Sequence, residues 1–477
     1  MRIEKTPLLV ISLAFSLTSG LALAAPTEDL AKTPELFLPL DKAGATGQRL
    51  AAGLQAGYYR IQLNPHIGSA FLPLPRIRLS LPDGSQYDAI QDNRFVHADG
   101  DVTWVGSIDG DDDKNYRVLI TTGKGHAFGR IHTPEGELQI ASDERQSWLI
   151  DPWVAGWMPD NGRGDDMALL PDANLLRRLP FNRAEPAAAQ PQATSSSVID
   201  LMLLYTPGMV ARHGSGLSTH LNQLVALANQ VYLDSQVGIT LRLAHSAQIN
   251  YSDTTSNETA LNDLANNADI SNARTQYGAD LVTLIRPYSS LHQGGCGYGY
   301  INGADGASLD ADGGYAIVGD GRDTGGTGYY CDDYTLVHEL GHNMGSTHDP
   351  ANSIGLTGVY SYSYGYRVLG MFGTIMSYPD YENGEQLVPR FSNPNLTCMN
   401  RPCGVTNSAD NARSLNNVRD IVANFRTAQV VPPTPTGSTL INISTRGRLD
   451  TTPQRVMIAG FIIRGSAPKP VLVTAKG

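Results

Sequence analysis

The feature that most constrains the fold is a short run that begins at His338 and contains three histidines. On an α-helix, residues four apart lie on one face, so His338 and His342 can direct two imidazole nitrogens at one ion. Gly345 can adopt a positive φ without steric cost, so the helix can end there and the chain can turn His348 back to the same point. The pattern therefore predicts a helix with a three-histidine metal site at its end.

Glu339 stands beside the first histidine and gives this site its chemistry. Three neutral imidazoles leave zinc an open position for a water molecule, whose pKa then falls towards roughly 7. A neighbouring carboxylate can take the proton of that water and pass it to a leaving amine. A structural zinc usually closes its fourth position with a protein ligand, so the pattern indicates a catalytic zinc with Glu339 as general base.

The full pattern HExxHxxGxxH resembles the motif of the metzincin zinc endopeptidases at every fixed position. That family also has a methionine turn downstream, which the run Gly373-Thr-Ile-Met376-Ser-Tyr378 resembles. The resemblance implies that Met376 lies beneath the metal as an apolar floor. For Tyr378 it leaves two alternatives, a role on the metal or the oxyanion, or an ordinary buried tyrosine.

Within the metzincins, the block from Val198 to Arg426 looks most like the bacterial secreted reprolysin-like enzymes, which include the peptidyl-Asp metalloendopeptidases. This resemblance implies an α/β (α+β) protease domain with a mixed twisted sheet. Alternating strand and helix patterns agree with such a layered fold. We predict strands at 198–205, 239–247 and 280–285, and helices at 218–235, 258–277 and 413–426.

The flanking sequence differs in character from the zinc block. Short alternating runs separated by Pro, Gly and Asp indicate an all-β unit before it, and a short alternating β pattern follows it. Two stretches rich in Pro, Ala, Gln and Ser are typical of exposed linkers. The predicted organisation is a signal peptide (1–24), a β-rich prosegment (25–182), a linker with the maturation site (183–197), the catalytic domain (198–427), a Pro-rich linker (428–438) and a C-terminal β segment (439–477).

The amino terminus carries the marks of an export signal. Arg2 and Lys5 precede an apolar stretch at 7–18, and Ala22-Leu23-Ala24 is a small-x-small cleavage signal. The apolar stretch is shorter than the roughly 20 residues that span a bilayer. We therefore expect a secreted or periplasmic protein whose mature chain has no membrane span.

The cysteine count fits an exported chain. An even number of cysteines outside the cell suggests two disulfides, and three pairings are open. Local order favours the two pairings that close short loops, namely Cys296 with Cys331 and Cys398 with Cys403.

Net charge and motif together define the expected partners. A formal net charge of -11 argues against a nucleic-acid partner, which needs clustered Lys and Arg. We expect protein or peptide substrates and a monomer. The rivals are a zinc-stabilised surface-binding or adhesion protein and a zinc hydrolase of a non-protein substrate.

If the enzyme cuts beside acidic residues, its substrate pocket needs a cation, preferably an arginine that can hold a carboxylate with two hydrogen bonds. Three arginines follow the zinc motif, and each of them could instead be an ordinary surface or structural residue. These candidates are Arg367, Arg390 and Arg401.

A prosegment before a secreted protease suggests that the chain inhibits itself. No cysteine precedes Cys296, so a cysteine thiolate cannot block the zinc from the prosegment. A carboxylate could replace it, as in astacins. The candidates are Asp160 and the Asp165-Asp166 pair, with solvated loop acids as the alternative.

A Gly-rich stretch with several aspartates could also bind calcium, which prefers oxygen ligands. Its spacing does not match an EF-hand loop, and turn-forming Asp and Gly are the alternative. The aspartates are Asp305, Asp310, Asp312, Asp320 and Asp323.

Overall fold

The structure is a computed structural model that describes residues 33–38, 56–69, 74–160, 166–170, 196–429, 439–446 and 458–464. The predicted signal peptide and nearly all of the 183–197 linker, with its maturation site, lie outside the described residues. In the described part of the chain, no helix combines the length and the hydropathy needed to cross a membrane.

The amino-terminal part forms an eight-stranded antiparallel sheet in the order β1-β8-β7-β6-β5-β4-β3-β2. The segment from Glu35 to Phe37 bridges Arg78 in β2 on one side and Leu63, just beyond β1, on the other, so it links the two edge strands. We call the described residues up to Ile150 the β domain. Its strands are β1 (Tyr58–Ile61), β2 (Arg76–Ser80), β3 (Gln86–Val96), β4 (Val102–Ile108), β5 (Arg117–Gly123), β6 (His126–Thr133), β7 (Gly136–Ser142) and β8 (Ser147–Ile150).

Strand β6 is buried along its whole length although it contains Arg130 and His132. An alternating pattern assumes one solvent-exposed face, whereas the polar face of β6 is covered by the following domain. Burial of both faces therefore does not follow from the sequence of the β unit alone.

A mixed sheet forms the centre of the second domain, in the order β10-β14-β15-β13-β11-β12. Its strands β11, β12, β13 and β15 pair in parallel, and β14 runs antiparallel to β15. This agrees with the predicted mixed α/β architecture. The strands are β9 (Met158–Pro159), β10 (Met167–Ala168), β11 (Ser197–Tyr205), β12 (Ile239–Gln248), β13 (Leu281–Pro287), β14 (Gly297–Tyr300), β15 (Tyr315–Arg322) and β16 (Tyr329–Cys331).

Helices cover the sheet. The expected helix at 258–277 is two helices, because the Asn267 side chain accepts hydrogen bonds from the backbone N–H groups of Asp269 and Ile270 and so starts a new helix. The expected final helix at 413–426 runs from Asn411 to Val422. The helices are α1 (Pro207–His213), α2 (Leu217–Asp234), α3 (Asn257–Ala265), α4 (Ala268–Tyr277), α5 (Ser290–Gln293), α6 (Thr335–Asn343) and α7 (Asn411–Val422).

The chain after α6 is irregular and ends in a separate hairpin. Both expected disulfides are present, with Cys296 bonded to Cys331 and Cys398 bonded to Cys403. The first joins the sheet edge at β14 to β16, and the second closes a short hairpin. The remaining strands are β17 (Arg367–Val368), β18 (Phe372–Gly373), β19 (Gln386–Leu387), β20 (Asn393–Cys398), β21 (Arg401–Cys403), β22 (Thr439–Arg446) and β23 (Ile458–Arg464).

Helix α2 is buried on both sides. Its apolar residues join the main core, as the helical spacing predicts. Its polar residues meet the β domain: Thr121 donates to Gln223 at 2.5 Å, and Asn93 donates to Gln230 at 3.0 Å. The contact between the two domains is therefore rich in hydrogen bonds, as expected of domain interfaces that can separate.

A buried ion pair anchors this interface. Arg117 of the β domain, 4 % exposed, donates its Nε–H to Asp234 at the end of α2 at 2.7 Å. It also contacts Asp92. Removal of the cation would leave the Asp234 carboxylate buried without its charged partner. The loss in stability is larger than that from breaking an exposed ion pair.

We expect Arg117→Leu to lower the free energy of unfolding of the full chain by about 3 kcal/mol, because it strands a buried carboxylate. Urea unfolding followed by tryptophan fluorescence measures this loss. Arg76→Leu removes an exposed arginine paired with Asp88 and Asp109, and it should unfold at the same urea concentration as the parent. Equal effects of the two substitutions would contradict the assignment of the anchor.

Candidate metal centre

Helix α6 carries the first half of the histidine motif and is buried from Leu336 to its end. The chain then turns at Gly345, whose φ is +84°. A Cβ at this position would lie 2.7 Å from the side chain of Val359. Glycine is therefore required here both for the left-handed backbone and for the close packing, and the turn brings His348 back towards α6.

The three histidines converge on one point. The distance between Nε2 atoms is 3.1 Å for His338 and His342, 3.0 Å for His342 and His348, and 3.2 Å for His338 and His348. Nitrogens about 2.0 to 2.1 Å from one tetrahedral zinc ion are separated by roughly 3.3 Å. The spacing therefore fits a shared zinc ion.

The other ring nitrogens are bound to backbone carbonyls. His338 Nδ1 donates to Ile375 O at 2.6 Å, and His342 Nδ1 donates to Ser346 O at 3.0 Å. His348 Nδ1 lies 3.3 Å from Asn352 O. These bonds place the N–H on Nδ1 and leave each Nε2 as a lone-pair donor, which is the arrangement a metal requires.

Glu339 is fully buried at the sheet edge, and its two carboxylate oxygens have no hydrogen-bond partner among the described residues. A Cβ at Gly297 would collide with Oε1, and one at Gly299 would lie 2.8 Å from Oε2. The glycines of β14 thus make room for this carboxylate. Burial, with a further contribution from Asp166, raises the pKa of Glu339 well above its ordinary value.

The structure also brings the methionine-turn residues to the site. Met376 is fully buried, and a Cβ at Gly341 of α6 would lie 2.5 Å from its Sδ. The thioether therefore packs directly against the histidine helix. The Tyr378 hydroxyl lies 2.9 Å from His348 Nε2, which is one of the three converging atoms.

A carboxylate from before the catalytic domain completes the cluster. Asp166 places Oδ1 2.8 Å from His348 Nε2 and 3.6 Å from His342 Nε2, and Oδ2 3.3 Å from His338 Nε2. Burial would raise the pKa of Asp166, but His348 and His338 hold it well below its ordinary range. Of the carboxylates considered from sequence, Asp165 lies outside the described residues, and Asp160 binds the Tyr288 hydroxyl instead.

The segment around Asp166 lies along the sheet edge. Met167 and Ala168 in β10 pair in parallel with Gly299 and Tyr300 of β14. Upstream, β9 pairs in parallel with β16. The chain that leaves the β domain therefore passes directly over the histidine cluster.

A cavity of about 80 Å³ adjoins His338 and Glu339. Its walls come from the chain before α6, the methionine turn, the start of β14 and the segment that carries Asp166. Its lining includes Asp332, Tyr334, Thr335, Tyr381 and Leu387. A larger cavity of about 370 Å³ lies between β12 and the helices α3 and α4, and neither His338, His342 nor His348 lines it.

The three arginines considered for a substrate pocket do not line the cavity beside His338. Arg367 forms a two-point pair with Glu385, with Nε 2.6 Å from Oε2. Arg390 is buried and donates to backbone carbonyls, including that of Thr397 at 2.8 Å. Arg401 is an exposed residue of β21. Structural partners therefore hold Arg367 and Arg390.

A second group of metal-binding residue types lies at the domain interface. His213 and His220 contact the two oxygens of Asp320 at 2.9 and 2.6 Å. The two rings are stacked, with centroids 4.2 Å apart and planes at 17°, and Arg212 also binds this carboxylate. Nearly parallel rings do not aim their lone pairs at one ion, so this group fits a metal less well than the first.

The structure gives the calcium expectation no support. Asp320 is held by the histidine pair, and Asp323 accepts hydrogen bonds from Ser290, Gly325 and Thr327. Asp310 caps the turn at Asp312. Among the described residues, no three of the five aspartates converge on one point.

Two family models match parts of this chain. Residues 195–409 match the model of the metallo-peptidase family M12B, reprolysin-like. Residues 41–152 match the model of the BamI lipocalin-like domain. The first match agrees with the resemblance carried by the histidine motif.

Curated relatives carry one name. A peptidyl-Asp metalloendopeptidase of Pseudomonas aeruginosa is 32 % identical over 51 % of this chain and 43 % of its own length. Those of Stenotrophomonas maltophilia and Xanthomonas campestris pv. campestris are each 31 % identical, over 54 % and 51 % of this chain and 59 % and 56 % of their own lengths. The chain thus spans about half the length of the curated relatives it matches.

Two solved structures show weak similarity. One is titled "Structure of a chaperone-substrate complex" (TM-score 0.38, 16 % identity, 74 % of this chain and 44 % of that chain). The other is the crystal structure of metalloproteinase-II from Bacteroides fragilis (TM-score 0.35, 13 % identity, 57 % of this chain and 81 % of that chain). At these TM-scores the two structures establish no common fold with this chain.

Proposed function

We propose that this chain, whose residues 195–409 match the model of the reprolysin-like metallopeptidases, is a secreted zinc-dependent endopeptidase made as a latent precursor. The observation that carries the proposal is the convergence of three Nε2 atoms beside the unpartnered carboxylate of Glu339. A structural zinc site needs no such free base.

The residues of the site divide the chemistry between them. His338, His342 and His348 would hold the zinc, which supplies a Lewis acid that activates water and polarises a carbonyl. Glu339 accepts a proton from water at its carboxylate and delivers it to the leaving nitrogen. The hydroxyl of Tyr378, which lies 2.9 Å from His348 Nε2, would donate a hydrogen bond to the carbonyl oxygen of the substrate.

The edge strand β14 supports an extended peptide as substrate. Its outer side already binds an extended backbone, because β10 pairs with it through Gly299 and Tyr300. Addition of a strand to a sheet edge recognises the peptide backbone itself. Such a site can accept internal segments of a protein chain, which is the requirement for an endopeptidase.

The position of Asp166 supports a latent precursor. Its carboxylate faces all three ligand atoms, which is the place where water would otherwise enter. The segment that carries it also covers the sheet edge that a substrate would use. Cleavage between this segment and the catalytic domain, in the 183–197 linker, would allow the segment to leave both the histidine cluster and the edge of the sheet.

A preference for acidic residues is suggested by the name of the relatives, peptidyl-Asp metalloendopeptidase. Because the chain spans about half of their length, an acidic preference of this chain is a proposal separate from that of the reaction. Export rests on the predicted signal peptide at 1–24.

We expect Glu339→Gln to reduce cleavage of a denatured proteome by roughly a hundredfold to ten-thousandfold, since the substitution removes the general base. Mass-spectrometric mapping of new peptide ends measures the cuts. The variant keeps all three histidines, so its zinc content should equal that of the parent. Undiminished cleavage by zinc-loaded Glu339→Gln would contradict the proposal.

Asp166→Ala should speed conversion of the precursor to the processed form. A contact to a charged group contributes roughly 1.5 to 3 kcal/mol, which corresponds to about tenfold or more in the conversion rate. Asp160→Ala is the matched control, because Asp160 lines the same cavity but binds Tyr288. Gel analysis of a time course should show rapid conversion only for Asp166→Ala. Equal conversion rates for the parent and this variant would contradict an inhibitory role of Asp166.

A further inference from the structure

We propose that the stacked rings of His213 and His220, which we call the histidine pair, make the contact between the β domain and the catalytic domain sensitive to acid. Protonation of His213 would favour separation of the two domains. Only the consequence for maturation rests on the proposed function, because the contact itself can be measured in a chain that cleaves nothing.

The histidine pair shares one buried carboxylate. His213 at the end of α1 and His220 in α2 place their Nε2 atoms 2.9 and 2.6 Å from the two oxygens of Asp320 in β15. Arg212 places Nη1 3.1 Å from the same carboxylate. With one ring protonated, two positive charges already face this single negative charge. A proton on the second ring would add a further positive charge in a buried place, which is unfavourable.

The stacking adds repulsion between the rings. Their centroids are 4.2 Å apart and their planes meet at 17°, so two protonated rings would face each other directly. A like charge at this distance disfavours the charged form of its neighbour. The geometry therefore accommodates one proton on the pair better than two.

The two histidines differ in their affinity for that proton. Burial disfavours the charged form of His220, but Asp320 outweighs it, and the pKa of His220 lies above its ordinary value. Burial lowers the pKa of His213, and Asp320 does not offset this because the charges of His220 and Arg212 also oppose the proton. His213 is therefore the neutral member of the pair in the closed form, in which the two domains are in contact.

The β domain covers the histidine pair. Phe128 in β6 packs against both rings, with its centroid 5.7 Å from that of His213 and 5.0 Å from that of His220. The two histidine side chains are only 12 % and 5 % exposed. Departure of the β domain would remove Phe128 and expose the rings to water.

The turn between the two histidines belongs to the same contact. The backbone N–H of Ser215 donates to Glu144, between β7 and β8, at 2.7 Å. The Ser215 hydroxyl lies 2.8 Å from Nε2 of His126 in β6. A Cβ at Gly216 would lie 2.9 Å from Nδ1 of the same histidine, so the turn packs closely against the β domain. Separation of the domains would therefore uncover the turn together with the pair.

Charged and titratable groups of both domains surround the pair. Those of the catalytic domain stay beside it after separation, and they are Arg212, Asp320 and Asp333. Those of the β domain leave, and they are His126, Arg130 and Glu144. Arg130 opposes the charge of His220, so its departure does not remove the proton from that ring. The change on separation therefore falls mainly on His213, which gains water.

Proton linkage gives the direction of the pH dependence. Exposure returns the pKa of His213 towards about 6.5, the value of an unperturbed histidine. Below about pH 6.5 the separated form then binds more protons than the closed form, and acid favours the form that binds more protons. The contact has its full stability above that pH and loses stability as the pH falls. We therefore expect mild acid to promote opening of the precursor.

The test uses the full chain with Glu339→Gln, which prevents self-cleavage, and with a recognition site for an added protease in the 183–197 linker. A cut at this site leaves two fragments that the contact between the domains holds together. Size-exclusion chromatography of a dilution series measures their dissociation constant at about pH 7.5 and about pH 5.5, on either side of the histidine range. Because His213 lies in the catalytic fragment, its exposure on dissociation does not depend on whether the free β domain stays folded.

We expect the dissociation constant to rise towards the lower pH. The rise should be about three- to tenfold larger in this parent than with His213→Gln, because glutamine cannot take up the proton. Glutamine can still donate a hydrogen bond to Asp320, so the variant keeps the neutral contact. His245→Gln is the matched control, since His245 stacks on Tyr277 within the catalytic domain. The control should keep the rise of the parent.

Phe128→Ala provides a second variant from the other side of the contact. It should raise the dissociation constant at both pH values and shrink the rise between them, because it leaves the rings partly exposed in the closed form. A rise in the parent that is equal to or smaller than that in His213→Gln would overturn the inference. Every sample carries Glu339→Gln, so an absence of cleavage by the native chain would count against the endopeptidase alone.

Discussion

The approach of three imidazole Nε2 atoms to within 3.0 to 3.2 Å of one another is the constraint on which the rest of the structure depends. A shared cation would offset the repulsion between three lone pairs at this distance, and hydrogen bonds at the other ring nitrogens hold such ligands in orientation. The backbone carbonyls of Ile375, Ser346 and Asn352 supply that support. The irregular chain after α6 therefore serves to orient the ligands.

The β domain packs against the catalytic domain mainly through polar and charged groups. It contacts the catalytic domain through polar groups on α2 and through the buried Arg117–Asp234 pair. The segment that follows it carries Asp166 to the histidines and fills the edge of β14. A further contact is the ion pair of Arg130 with Asp333, whose Nε and Oδ2 atoms lie 3.0 Å apart. In the proposed precursor, cleavage in the 183–197 linker would let all of these contacts separate.

Sequence analysis identified the centre of the site and missed its surroundings, for physical reasons. The histidine motif is local, and its helix and glycine turn follow from spacing along the chain, whereas the methionine turn was expected from the resemblance to the metzincins. Both short-range disulfides and the mixed sheet were also predictable. The burial of the polar residues Arg130 and His132 in β6 could not be predicted, because another domain covers them. Asp166 was only one of several candidate carboxylates, since its contact with His348 spans 182 residues of chain and no local pattern encodes it.

The most direct test of the account is a crystal structure of the zinc-loaded precursor with anomalous data collected at the zinc absorption edge. We expect one strong peak among His338, His342 and His348, with a carboxylate oxygen of Asp166 as the fourth ligand. A peak at His213, His220 and Asp320 instead, or a zinc at the first site with Asp166 turned away, would contradict it.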